Sequence, residues 1–101
     1  MAPVWLGLFS VTAPTNNTFL SGNAGACVWV AAQAEDAAKL EMRVGNTLRE
    51  LGLTVVEAEH LQIVENEDEL SEAQASLIPE ATRNLESVVY GTWHTFKYHD
   101  A

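Results

Sequence analysis

One stretch narrows the choice of fold more than any other. Within residues 35–51 the apolar positions Ala37, Leu40, Val44, Leu48 and Leu51 recur at intervals of 3, 4, 4 and 3. That spacing places them on one face of an α-helix, and such a stripe needs a surface to cover it. Glu35 and Asp36 suit the positive N-terminal end of the helix dipole, and Arg49 suits the other end. Gly52 follows as a stop. Gly45 weakens the middle by ~1 kcal/mol relative to alanine and is read as a point of close packing on a sheet. Residues 26–32 before the helix (Ala-Cys-Val-Trp-Val-Ala-Ala) and 53–64 after it are apolar and rich in β-branched types, as strands are. A one-sided helix between two strands implies mixed helix and sheet.

The remaining segments extend this pattern. Residues 4–12 carry Val4, Trp5, Leu6, Leu8, Phe9 and Val11, nearly continuous, as in a strand covered on both faces. Residues 13–25 hold Pro14, Asn16, Asn17, Ser21, Gly22, Asn23 and Gly25, which are loop types interrupted by Phe19 and Leu20. In 53–64, Leu53, Val55, Leu61 and Ile63 share a parity with Glu57 and Glu59, so a bend or bulge is expected at residues 57–60. Asn66 followed by Glu69 resembles a capping box. Leu70, Ala73 and Leu77 then make a one-sided helix that Pro79 ends at Ile78, with a further short turn in 80–86. Residues 88–98 form the last strand, with Val88, Tyr90, Thr92, His94, Phe96 and Tyr98 on one face and Trp93 on the other. Gly91 permits a bulge or close approach there. The expectation is one α+β domain over residues 1–101: a four-stranded sheet with two helices on one face, in the order β-β-α-β-α-β. Its uncovered face, carrying Trp5, Phe9, Trp93 or the row Tyr90, Phe96, Tyr98, would call for a second copy, hence a homodimer.

Charge then limits function. Five basic residues stand against fourteen acidic ones, a formal net charge of −9. Nucleic-acid affinity comes largely from Lys and Arg neutralising phosphates, so no nucleic-acid partner is expected. Anionic membranes are disfavoured for the same reason. A basic protein partner would be attracted, chiefly through faster encounter. Seven acidic residues fall between Glu57 and Glu72, while no Lys or Arg lies between Arg49 and Arg83. Strand alternation places Glu57 and Glu59 on the same side. Glu65, Glu67, Asp68, Glu69 and Glu72 are the candidate centre of a partner-binding face. An EF-hand spacing with its central glycine is absent from this run.

Other chemistry has little support. Cys27, the single cysteine, cannot form an internal disulfide and reads as a small buried hydrophobe, consistent with a reducing, cytoplasmic compartment. Residues 1–9 lack a basic n-region, and their apolar run is too short for a membrane span. Asn16-Asn17-Thr18 fits the glycosylation acceptor pattern by chance. Of the three histidines, His60 and His94 are mid-strand and His99 is terminal. None has the i, i+4 helical spacing of metal ligands, and neither a metal nor a cofactor is expected. Trp93 and His94 beside Tyr90 could line a pocket or pack on the sheet. There is no P-loop, no GxGxxG and no nucleophile elbow.

The segment Val-Trp-Val-Ala-Ala-Gln-Ala-Glu-Asp-Ala-Ala (28–38), with Leu-Arg-Glu-Leu-Gly-Leu-Thr-Val-Val-Glu-Ala (48–58), resembles a pattern in small uncharacterised bacterial α+β proteins. In these a strand leads into a helix begun by acidic and alanine residues, then a glycine turn and another strand. Some are similar to immunity proteins of polymorphic toxin systems. The resemblance covers about a third of the chain and carries over no site residue. Taken with the acidic segment, the leading expectation is a non-enzymatic protein-interaction module, such as an immunity-type inhibitor. The alternatives are a small-ligand-binding or regulatory α+β domain, or a small cofactor-independent enzyme using His60 or His94.

Overall fold

The computed structural model describes residues 2–14, 19 and 24–96, with the backbone alone for Glu67 and Phe96. Strands β1 (Val4–Thr12) and β2 (Gly25–Gln33) form an antiparallel hairpin. Their register is unbroken from Val4 opposite Gln33 to Thr12 opposite Gly25. The hairpin closes with Ala13 N–H donating to the Ala24 carbonyl at 2.9 Å.

Helix α1 (Ala37–Glu50) follows. Asp36 is its N-cap, the carboxylate accepting from Lys39 N–H at 2.8 Å. Leu51 caps the other end, and Gly52 at φ 80° takes the left-handed turn that releases the chain. The expected stripe is realised: Leu40, Val44 and Leu48 are fully buried and Leu51 packs beside them. Gly45 differs from expectation. A Cβ built there would meet nothing within 4 Å, so no close packing demands glycine.

β3 (Thr54–Ile63) runs antiparallel to β1 and is an edge of the sheet, whose order is β3-β1-β2-β4. The second helical segment comes in pieces: a 3-10 turn at Glu67–Glu69, then α2 (Glu72–Ala75) and α3 (Ile78–Arg83). The expected capping box at Asn66 is displaced to Ser71 and Gln74. Ser71 Oγ accepts from Gln74 N–H at 3.2 Å, and Gln74 Oε1 accepts from Ser71 N–H at 2.9 Å. Asn66 instead turns the chain, its side-chain oxygen accepting from Asp68 N–H at 3.0 Å. Pro79 begins a helix rather than ending one, sitting in the first turn of α3 where its missing N–H has no partner to lose.

The last strand is also divided. β4 (Val88–Tyr90) and β5 (His94–Phe96) both pair with β2, separated by residues 91–93. Val30 is opposite Tyr90 and Cys27 opposite His94, so one extra residue intervenes. Gly91 N–H still reaches the Trp29 carbonyl, at 2.9 Å. Tyr90 and His94 therefore lie on opposite faces, not on one as strict alternation implies. Residues 97–101, with Tyr98 and His99, lie outside the described residues.

The α+β class and the order β-β-α-β-α-β hold, with β5 as a short addition. The placement of both helices on one face does not. α1 covers a core of Phe9, Val11, Ala26, Val28, Val30 and Ala32, whereas α3 buries Leu77, Ile78 and Ala81 against Leu6 and Ala31. Ala31 and Leu6 are register partners, as are Val28 and Phe9, so the two sets occupy opposite faces. The chain must travel twice across the sheet, from β2 to β3 and from edge β3 to edge β4. α1 fills the first face, so the return passes over the second. Gln33, buried at the end of β2, ties that return in place. Its side-chain amide donates to the carbonyls of Ala81 at 2.9 Å and Thr82 at 3.1 Å. Arg43 on α1 donates to the Gln33 carbonyl and, at 3.0 Å, to that of Leu85. With both faces carrying helix, the reason to expect a homodimer narrows to what α3 leaves uncovered. No helix among the described residues is long and apolar enough to cross a membrane.

Candidate functional site

The acidic residues begin on the edge strand. Glu57 is opposite Ser10 and Glu59 opposite Leu8 on β1, so both side chains leave the α3 face of the sheet, as alternation requires. The neighbouring Glu59 carboxylate, through a shared hydrogen bond and its charge, raises the Glu57 carboxyl above its ordinary value. Register shifts between Ser10 and Val11, and between Leu6 and Leu8, mark two bulges around these residues, where the sequence placed a bend.

Past the strand, Glu65 and Glu69 line one crevice of about 220 Å³ together with Asn66 and Leu70. Glu67, Asp68 and Glu69 form the 3-10 turn, and Glu72 is the first residue of α2. The expected partner-binding residues Glu65, Glu67, Asp68, Glu69 and Glu72 are neighbours by sequence, and of these Glu65 and Glu69 share the crevice. Glu65, Asp68, Glu69 and Glu72 are exposed. Among the described residues the ion pairs lie elsewhere, Lys39 with Glu35 at 2.8 Å and Arg83 with Glu80 at 2.6 Å.

Of the two readings of Trp93, His94 and Tyr90, pocket or packing, the rings follow the packing one. Trp93 packs with Tyr90 at 5.3 Å between ring centroids and edge-on to Phe19 at 5.1 Å. These rings join the α1 side of the core, while His94 faces the other way, opposite half-buried Cys27. Cys27 Sγ lies 3.3 Å from Ser10 Oγ. Among the described residues no three His, Cys, Asp or Glu side chains converge as metal ligands would.

A second aromatic site includes His60, one of the two histidines named for the alternative enzyme reading, but its pairing with Trp29 was not foreseen. On the face that α3 only partly covers, a cleft of about 380 Å³ is lined by Trp29, His60, Leu61, Gln62 and Gln74. Register places Leu8 and Glu59 beside it, next to its lining residue Trp29. Trp29 is opposite Leu8, and Leu8 is opposite Glu59, so Glu59, Leu8 and Trp29 form one row across three strands. His60 occupies the bulge at φ 54°, a left-handed conformation unusual for a residue with a side chain. Its ring lies 6.2 Å from that of Trp29, the planes 35° apart. Leu61 reaches under Gly7, where a Cβ would come within 2.4 Å of it. The only sequence sign of the cleft was the broken parity at residues 57–60.

Comparison with protein-family models, with curated proteins and with solved structures returns no match.

Proposed function

We propose that the chain is a non-enzymatic interaction module that docks a basic protein on its acidic surface, in the manner of an immunity-type inhibitor acting in the cytoplasm. One observation carries this reading: the carboxylates of Glu65, Asp68, Glu69 and Glu72 are exposed, fall within eight residues of chain, and have no Lys or Arg between Arg49 and Arg83. Two ordinary duties of acidic residues leave them unexplained. Charges on an edge strand discourage strand-to-strand aggregation, which suits Glu57 and Glu59, but Glu65 to Glu72 lie beyond β3. A helix dipole favours acidic residues in its first turn, yet α2 has four residues and one acid there, Glu72. The repulsion among the others is retained without local compensation, and its long-range effect is to steer a cationic partner.

The test uses the basic proteins encoded by neighbouring genes, with association rates measured against ionic strength. Reversal at Asp68→Lys with Glu69→Lys is expected to slow association ~10-fold or more at low salt and to flatten its salt dependence. An unchanged rate in the reversed variant, with its fold intact by circular dichroism, overturns the reading.

A further inference from the structure

The cleft over Trp29 has the parts of a receptor for one cationic side chain. We propose that it receives an arginine of the basic partner, the guanidinium lying on the Trp29 indole and turned toward Glu59. This deepens the docking reading above and rests on it.

The cross-strand row supplies the geometry. Strands lie ~4.8 Å apart, so the Glu59 and Trp29 backbones, two strands apart, are separated by roughly 10 Å. Leu8 stands between them, half-buried and apolar, beside the cleft and not in its lining. Tryptophan is the aromatic that attracts cations most strongly, and Trp29 is half-buried with His60 as its ring neighbour among the described residues. The bulge holds His60 in a conformation that glycine would adopt freely, and bulges commonly re-aim a side chain beside a site.

Two amides complete the lining. Gln62 is exposed, and its side chain makes no hydrogen bond among the described residues, so its oxygen can accept from a guanidinium N–H. Gln74 has its oxygen committed to Ser71 N–H, which leaves its NH₂ to donate to a carbonyl of the partner backbone.

Charge selects the occupant. Glu57 and Glu59 share this face, and the chain carries −9 overall. An anionic ligand is repelled, and so is a second copy of the same chain. A planar cation with several donors is the complement.

The experiment titrates the intact chain with Nα-acetyl-arginine-N-methylamide and with its citrulline counterpart, which has the same shape without the charge. Indole and imidazole NMR signals of Trp29 and His60 report binding. The arginine compound is expected to shift both signals saturably, with Kd on the order of 10 mM, and the citrulline compound to leave them in place. Glu59→Gln is expected to weaken binding ~3-fold. Trp29→Leu should abolish the His60 shift while the remaining spectrum stays folded. If Trp29→Leu unfolds the chain, Glu59→Gln and the citrulline comparison decide alone. Equal shifts with citrulline, no shift at all, or a Glu59→Gln variant that binds like the original chain overturn the inference. If the partner still binds Trp29→Leu normally but fails to bind Asp68→Lys with Glu69→Lys, docking stands and the arginine cleft falls. If the reversed variant binds its partner normally, the docking reading falls instead.

Discussion

Leu48 is fully buried beneath α1, in the cluster formed by Phe9, Val11 and Val28. Leu48→Ala is expected to cost ~2–5 kcal/mol, the lost transfer energy plus the cavity left behind, measured by denaturant unfolding. Glu57 tests the opposite kind of residue, exposed and acidic. Its folded carboxyl titrates above the ordinary value of 4.5 because of Glu59. Between those two values the folded chain holds more proton than the unfolded one, so stability falls as pH rises through that window. Below the window both states hold the proton, and the hydrogen bond shared with Glu59 is fully present. Above it the repulsion persists unchanged. Glu57→Gln should therefore be more stable than the original chain at neutral pH, with the difference closing as the pH drops below about 4.5. Thermal melts of both from acidic to neutral pH check this. A difference that grows toward acid would contradict the assigned cause.

Elements show which signals a sequence carries. The α1 stripe was legible because five apolar residues repeat on one face, and the β3 bulges because alternation fails at residues 57–60. The broken second helical segment was not, because Asn66 and Ser71 are both plausible caps and Pro79 is compatible with a start or a stop. The side of the sheet taken by each helix was equally hidden, since β2 is apolar at both parities and advertises no preferred face. The aromatic cleft was the least legible feature: Trp29, His60 and Gln74 come from three elements and meet only once register is known. Within α1, Gly45 has open space where a Cβ would go. Gly45→Ala is therefore expected to stabilise the chain by ~0.5–1 kcal/mol, seen as a higher denaturation midpoint with an unchanged slope.

At the scale of the whole molecule, the Cα radius of gyration is 13.7 Å, near the ~13 Å of a compact domain of this length. The core clusters on the two faces share strands β1 and β2, so they belong to one body. Its charge separates two kinds of association. Copies carrying −9 each repel, so self-association through the patch around Leu8 and Trp29 would strengthen as salt screens them, whereas docking of a basic partner would weaken. Sedimentation of the chain alone, and of the chain with the proposed basic partner, at low and high ionic strength should show these opposite trends. A partner complex that tightens with salt would contradict the electrostatic account.

The strand order β3-β1-β2-β4 also orders events in time. A chain made from its N-terminus presents β1 and β2 first, and these are the two middle strands. Each later segment is added at the rim, and synthesis at ~5–20 residues per second leaves time for earlier parts to pair. α1 arrives soon after β2 and can shelter Phe9 and Val28. Leu6 and Ala31 wait on the other face until residues 78–83 have been made. During that interval the nascent chain is a half-roofed hairpin, with Leu6 and Ala31 on the side still lacking its cover.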